Sequence, residues 1–101
     1  MTDSIEKILC ETPTLGKQPT NIEKWKYIAV RAAILKALPR KGPGLLFKDL
    51  PALVEAKLPG KMKAKLGSIS WYTTTVKLDL EVRGEIARVA GAKPQRLLRQ
   101  H

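Results

Sequence analysis

The sequence predicts a single α+β domain with three helices, a C-terminal β-hairpin and a short N-terminal strand. Two observations suggest helices: a long run of apolar residues at helical spacing, and a second amphipathic stretch bounded by prolines. A third observation, a pair of strand-like segments around a turn near the C-terminus, suggests the hairpin. With 101 residues, the chain has room for one modest core, which argues against a large enzyme cleft.

The N-terminal segment is predicted to be an added strand or arm covering residues 1–20, ahead of a main domain at 21–101. Its stretch SIEKILC, residues 4–10, is rich in apolar and β-branched types and stops at a turn near residues 13–16. An uncovered edge strand invites partners, so we expect this arm to pack on the domain or to join a weak homodimer.

The first helix is the most strongly patterned element. Thr20 and Glu23 have the spacing of a capping box, and Pro39 ends the run. Its predicted inward positions are Ile22, Trp25, Ile28, Ala29, Ala32, Leu35 and Leu38.

A second helix is predicted at about residues 49–58, after a loop at 39–44 and a brief strand at 45–47. Pro51 is tolerated because it lies in the first turn, and Pro59 with Gly60 closes the helix. Its inward residues are Leu50, Leu53, Val54 and Leu58. The segment KMKAKLGS, residues 61–68, is predicted to be a solvated loop with three lysines.

The segment after this loop, residues 70–83, fits both a strand and a helix. Its apolar residues alternate from Val76 to Val82, as in a half-buried strand, and WYTTTV has high β-propensity. Lys77 and Glu81 are nevertheless four apart, as in helix-surface ion pairs. The order of elements favours a helix, with Gly84 just beyond its end. The residues left exposed on that helix would be Ser70, Thr73, Thr74, Lys77 and Glu81.

A basic hairpin follows this third helix. The stretches EIARV and QRLLR flank the turn AGAKP and carry Arg88, Lys93, Arg96 and Arg99. The elements are expected to share one core that contains Trp25, Leu35, Leu53, Val76, Leu80 and Ile86.

This order of elements resembles the winged helix-turn-helix fold, in which the third helix lies in the DNA major groove and the hairpin is the wing. The stretches GKQPTNIEKWKY, LPRKGPGL and WYTTTVKLDLEVRG are also similar to a family of small bacterial proteins of unassigned function. The winged-helix resemblance implies base or phosphate contacts by Thr73, Thr74 and Lys77. It implies backbone contacts on one flank by Lys61, Lys63 and Lys65, and on the other by Arg88, Lys93 and Arg96.

The charge of the chain agrees with a polyanionic partner. The formal charge is +10, divided as −2 over residues 1–16 and +12 over the remainder. Double-stranded DNA, bound mainly through phosphates, is the expected partner, and a protein-interaction module on the same scaffold is the alternative. Glu81 on the exposed stripe, and the absence there of Arg, Asn or Gln, argue against strong sequence specificity.

Other classes of function have little support in the sequence. Cys10 is the only cysteine and is expected to be a small strand residue, and no zinc-ligand spacing, cofactor motif or nucleophile–base pair can be assembled. The chain has neither an export signal nor a membrane-spanning run, so a cytoplasmic protein is expected. Trp25, Trp71 and Tyr72 could stack on bases, but their places on apolar helix faces favour core packing.

Overall fold

The computed structural model describes residues 6–100, which form ten short elements. Two strands, β1 (Lys7–Cys10) and β2 (Thr20–Glu23), precede helix α1 (Lys24–Ala37). Strand β3 (Leu45–Leu46) and a 3-10 turn (Phe47–Asp49) lead into α2 (Leu50–Lys57), α3 (Gly60–Leu66) and α4 (Ile69–Val82). Strands β4 (Ile86–Arg88) and β5 (Arg96–Arg99) follow. The α+β class is therefore confirmed, with four α-helices in this part of the chain where three were predicted.

The N-terminal arm packs on its own domain as an antiparallel hairpin. Strand β1 pairs with β2 across the predicted boundary at residue 20, with Lys7 opposite Glu23 and Cys10 opposite Thr20. Cys10 and Ile22 are buried. The predicted capping box is wrong, because Thr20 and Glu23 belong to β2 and α1 begins only at Lys24. The predicted strand residues 4 and 5 lie outside the described part of the chain.

Helix α1 buries a different face from the predicted one. Ile28 is 54% exposed and Ala32 is also exposed, whereas the stripe facing the core contains Tyr27, Val30, Ala33 and Ile34. The prediction was wrong because it set the helical phase from Ile22, which lies in the preceding strand. Leu38 is buried as expected, and the helix ends before Pro39.

The core lies between α1, α2 and α4, with the C-terminal sheet covering one end. Val30, Ile34, Leu50, Val54, Val76, Leu80 and Leu97 have no exposed surface. Val76, Leu80 and Ile86 confirm their predicted burial, and Leu35 packs against the same cluster. Trp25 and Leu53 are only half-buried, so their predicted place in this core is wrong. No helix of residues 6–100 is both long and apolar enough to cross a membrane.

The predicted C-terminal hairpin is confirmed and belongs to a three-stranded antiparallel sheet in the order β3-β5-β4. Gly44 lies where the chain enters β3, with φ +86°. A Cβ at this position would lie 2.9 Å from the Leu97 carbonyl oxygen, which explains the need for glycine. Arg96 Nη1 donates to the Gly44 carbonyl oxygen at 3.0 Å, so a side chain of β5 also holds the close approach between Gly44 and this strand.

Residues 61–68, predicted to be a loop, instead contain most of helix α3. Lysine, methionine, alanine and leucine are all good helix formers, and the buried Leu66 anchors the helix to the core. The Pro59 carbonyl accepts from the Met62 and Lys63 N–H groups and begins the first turn. The lysine run concealed this element because its charge pattern suggested a solvated loop.

Helix α4 confirms the helical interpretation of residues 70–83. Ser68 caps its N-terminus by accepting a hydrogen bond from the Trp71 N–H at 3.1 Å. At the other end, the Gly84 N–H donates to the Glu81 carbonyl and the Glu85 N–H to the Leu80 carbonyl, the two bonds of a Schellman motif. Gly84 has φ +77°, as its predicted position beyond the helix end requires.

Candidate nucleic-acid interface

The most concentrated unpaired charge in the described chain lies on α3. Lys61, Lys63 and Lys65, here called the α3 lysines, are exposed, and none has an ion-pair partner within residues 6–100. The sequence has no acidic residue from position 56 to position 78. At helical spacing Lys61 and Lys65 lie on one side of α3 and Lys63 on the other. This short helix therefore carries positive charge on both sides.

The structure contradicts most of the predicted exposed stripe on α4, of which only Ser70 is exposed. Thr73 is 0% and Lys77 2% exposed, so neither side chain can reach a DNA groove. Lys77 Nζ lies 2.6 Å from Glu81 Oε2 and 4.5 Å from the centroid of the Phe47 ring. Burial lowers the pKa of the Lys77 ammonium group. Thr74 is half-buried and is the only one of the three predicted α4 contacts that is not buried.

The face that α4 does expose includes large apolar side chains. Trp71 is 46% and Val82 48% exposed, and Leu78 between them is half-buried. These residues were predicted to face the core. The helix instead buries Thr73 and Lys77. Burial of Lys77 is possible because its ammonium group pairs with Glu81 and lies over the Phe47 ring.

The arginines of the C-terminal hairpin are largely engaged within the protein. Arg88 Nε lies 2.6 Å from Glu81 Oε1, and Arg96 binds the Gly44 carbonyl. Arg99 Nη1 donates to the Leu35 carbonyl at 3.2 Å. Lys93 is exposed and makes no ion pair within the described residues. Of the three contacts predicted for the hairpin, only Lys93 is therefore exposed without a bonded partner.

An open groove of about 520 Å³ lies between the start of α1 and α3, here called the α1–α3 groove. It is lined by Glu23, Trp25, Lys26, Lys61, Met62 and Lys65. Lys26 is central to its α1 side, with Nζ 3.6 Å from Glu23 Oε2, 5.6 Å from the Trp25 ring centroid and 4.9 Å from that of Tyr72. The Tyr72 and Trp71 rings are nearly perpendicular, with their centroids 4.8 Å apart.

Sequence reasoning did not predict this groove. Trp25, Trp71 and Tyr72 were all predicted to be core residues; Tyr72 does pack against the core, but Trp71 is exposed and Trp25 is half-buried outside the core cluster. The available signal was the dipeptide Trp25-Lys26, in which a lysine adjoins the aromatic residue. Only the fold brings this dipeptide beside α3.

Asp79 lies at the centre of a second polar cluster. The carboxylate has no exposed surface and accepts hydrogen bonds from the Glu11 N–H at 2.9 Å, the Tyr27 hydroxyl at 2.5 Å and Arg83 Nε at 2.6 Å. Burial and the hydrogen bond to Asp79 raise the pKa of the Tyr27 hydroxyl. Every oxygen of the carboxylate is used by the fold, so the cluster is structural.

Cys10 is a strand residue, as predicted, and the structure shows that it is buried. Burial, and secondarily the Asp79 charge, raise the pKa of its thiol to about 11, which keeps the sulfur protonated at neutral pH. Within residues 6–100 no group of three or more His, Cys, Asp or Glu side chains could hold a metal ion.

Comparison with known proteins places the chain among relatives that lack an assigned activity. Residues 7–97 match the model of a family described as a family of unknown function (DUF6958). The match includes the N-terminal hairpin, all four described helices and most of the C-terminal sheet. Searches of curated proteins and of solved structures gave no match.

Proposed function

The chain belongs to this family of unknown function, and we propose that it binds duplex DNA mainly through phosphate contacts of the α3 lysines. The observation that carries the proposal is the exposure of Lys61, Lys63 and Lys65 on one short helix, with no ion pair in the described chain and no nearby acid in the sequence. Exposed lysines that release counterions from DNA give binding that depends on salt and little on sequence.

The order of elements supports a winged-helix variant as the scaffold. In this proposal α1, β3, α2, α4 and the β4–β5 hairpin correspond to the helices and strands of that fold, and α3 is inserted before the long helix. Thr73 and Lys77 make no DNA contact, because they are buried. Lys93 on the hairpin and Thr74 on α4 remain as additional contacts. Phosphates, rather than base edges, are therefore the main ligands.

A second candidate function is a protein-interaction module on the same scaffold. It is favoured by the apolar side chains that α4 exposes, since Trp71 and Val82 are each about half accessible and Leu78 partly so. Exposed apolar surface that forms a contiguous patch often marks an interaction site. Failure to bind DNA at low salt, with the protein folded, would favour this function.

The test is a titration of mixed-sequence duplex DNA at several salt concentrations, followed by fluorescence anisotropy. The variant K61Q/K63Q/K65Q should bind every duplex more weakly. It should also flatten the slope of log K against log salt by about 2–3 units, roughly one unit for each phosphate that a lysine no longer neutralises.

The matched control is K36Q/K41Q/K48Q, which removes the same charge from exposed lysines in α1, the following loop and the 3-10 turn. It should leave most of the salt slope intact. Equal losses in the two triple variants would show that only net charge matters and would contradict a site on α3.

A further inference from the structure

Building on the nucleic-acid binding proposed above, we infer that the α1–α3 groove holds an unpaired base of a single strand. The base stacks on Trp25, and Lys61 and Lys65 hold the neighbouring phosphates. The groove joins an aromatic wall on α1 to a basic wall on α3, and these are the two components that single-strand binders combine.

The charge of the groove suits a phosphate-bearing strand. Its lining contains three lysines, Lys26, Lys61 and Lys65, against one acid, Glu23. The Glu23 carboxylate is already engaged, since Trp25 Nε1 donates to its Oε1 at 2.8 Å and Lys26 Nζ lies 3.6 Å from its Oε2. Lys61 and Lys65 have no such partner in the described chain, so their charge is available to phosphates.

The indole of Trp25 is held in position before a ligand arrives. Its Nε1–H is fixed by Glu23, and Lys26 Nζ, 5.6 Å from the indole centroid, is itself held by donating to the Tyr72 hydroxyl at 3.2 Å. An aromatic side chain that is oriented and half-exposed gives a stacking surface with little ordering cost on binding. Any base can use it, because every base has a π-face.

The groove therefore distinguishes unpaired from paired bases. In a duplex both faces of each base are covered by its neighbours, so only the phosphates can contact this surface. A single strand can present a base to Trp25 and phosphates to Lys61 and Lys65 at the same time. The α3 lysines would then serve both kinds of nucleic acid, whereas Trp25 would serve single strands alone.

The direct test uses tryptophan fluorescence, since the chain has only Trp25 and Trp71. In W71F, titration with an oligothymidylate of about ten nucleotides should quench the remaining Trp25 strongly, because a stacked base quenches indole emission. In the reciprocal variant W25F, the remaining Trp71 lies outside the groove lining and should be quenched little. Unquenched Trp25 at saturating oligonucleotide, or equal quenching of the two tryptophans, would overturn the assignment.

Affinity gives a second readout. W25L should bind the oligothymidylate about tenfold more weakly, within the range contributed by one base–aromatic stack, and W25F should stay within about threefold of the wild type. The affinity for duplex DNA should be unchanged in both variants. A loss in W25L that is equal on duplex and single strand would overturn the proposal, as would dTMP quenching Trp25 at the same concentrations as the oligonucleotide. Should W25L fail to fold, the W71F titration decides.

The two proposals fail in different ways. Duplex binding that K61Q/K63Q/K65Q weakens, with Trp25 unquenched by the oligonucleotide, overturns the groove site and leaves the duplex proposal standing. Quenching of Trp25 without any duplex binding supports the groove site and overturns the duplex proposal.

Discussion

Asp79 is a buried carboxylate that connects three parts of the chain. It receives the backbone N–H of Glu11 from the N-terminal arm, the hydroxyl of Tyr27 from α1 and the guanidinium of Arg83 from the end of its own helix. A buried charge is tolerated only when it is paired and hydrogen-bonded, and here both conditions are met. The residue therefore fixes how the arm and α1 lie against α4.

Replacing Asp79 with Asn should destabilise the protein by about 2–4 kcal/mol. The amide has no charge to pair with Arg83, and its NH₂ group would face the donors of Tyr27 and Arg83. Urea unfolding at neutral pH measures the change. The exposed Glu55 is the control position, where E55Q should change stability by less than about 0.5 kcal/mol. A D79N protein as stable as E55Q would show that the cluster contributes nothing to the fold.

Helix α4 is joined to the C-terminal hairpin by a line of charges. Glu81 on α4 contacts Lys77 on one side through Oε2 and Arg88 of β4 on the other through Oε1, each at 2.6 Å. Lys77 is also covered by the Phe47 ring. The arrangement holds the hairpin against the helix. It also pairs Lys77 and Arg88, which were expected to contact DNA, with an acid of the same chain.

The two members of the buried pair should respond differently to substitution. K77M keeps the aliphatic stem and leaves Glu81 paired with Arg88, so it should change the free energy of unfolding by less than about 1 kcal/mol. E81Q leaves the Lys77 charge buried without a counter-charge and should cost about 2–4 kcal/mol. Denaturant unfolding of both variants tests this, and an E81Q protein more stable than K77M would contradict it.

The same α4 residues show what periodicity can and cannot predict. The limits of α4 were predicted within one residue at each end, the C-terminal one from Gly84, although the Ser68 cap was not recognised because Ser68 was assigned to a loop. Its buried face does not follow from the sequence, because Lys77 looks like a surface residue until Phe47 and Glu81 are placed around it. The α1–α3 groove could not be predicted from local sequence patterns, since it is formed by two helices that lie far apart along the chain.

At the scale of the whole molecule, the N-terminal hairpin is part of the domain that the rest of the chain forms. Strand β1 pairs with β2, and the residues that follow it reach Asp79 through the Glu11 N–H. Cys10 and Ile22 belong to the main core cluster. The strand was predictable from SIEKILC, which left open whether the arm packs on the domain or joins a dimer. Its pairing partner was not predictable, because Thr20 and Glu23 have the spacing of a helix cap.

Removing residues 1–16 should lower the melting temperature by more than about 10 °C. The deletion eliminates β1, the buried Cys10 and the Glu11 bond to Asp79, and a loss of roughly 2–3 kcal/mol produces a shift of this size in a small domain. Thermal unfolding followed by circular dichroism measures it. A form lacking residues 1–4 keeps β1 and Glu11 and is the matched control.

Light scattering of the same proteins tests the weak homodimer proposed through residues 1–20. Because β1 already pairs within its own chain, we expect the mass of a single chain at micromolar concentration. A full-length dimer that the deletion converts to a stable monomer, with no change in melting temperature, would contradict the packed arm and favour the dimer.

Gly44 restricts how this chain can change over evolution. Its Cβ would meet the backbone of β5 at 2.9 Å, and its carbonyl receives Arg96, so a side chain here would push β3 and β5 apart. Gly42 also has a positive φ, but the space around it is open, so asparagine could replace it at modest cost. Position 42 can therefore vary between relatives, whereas selection for an intact sheet removes mutations at position 44.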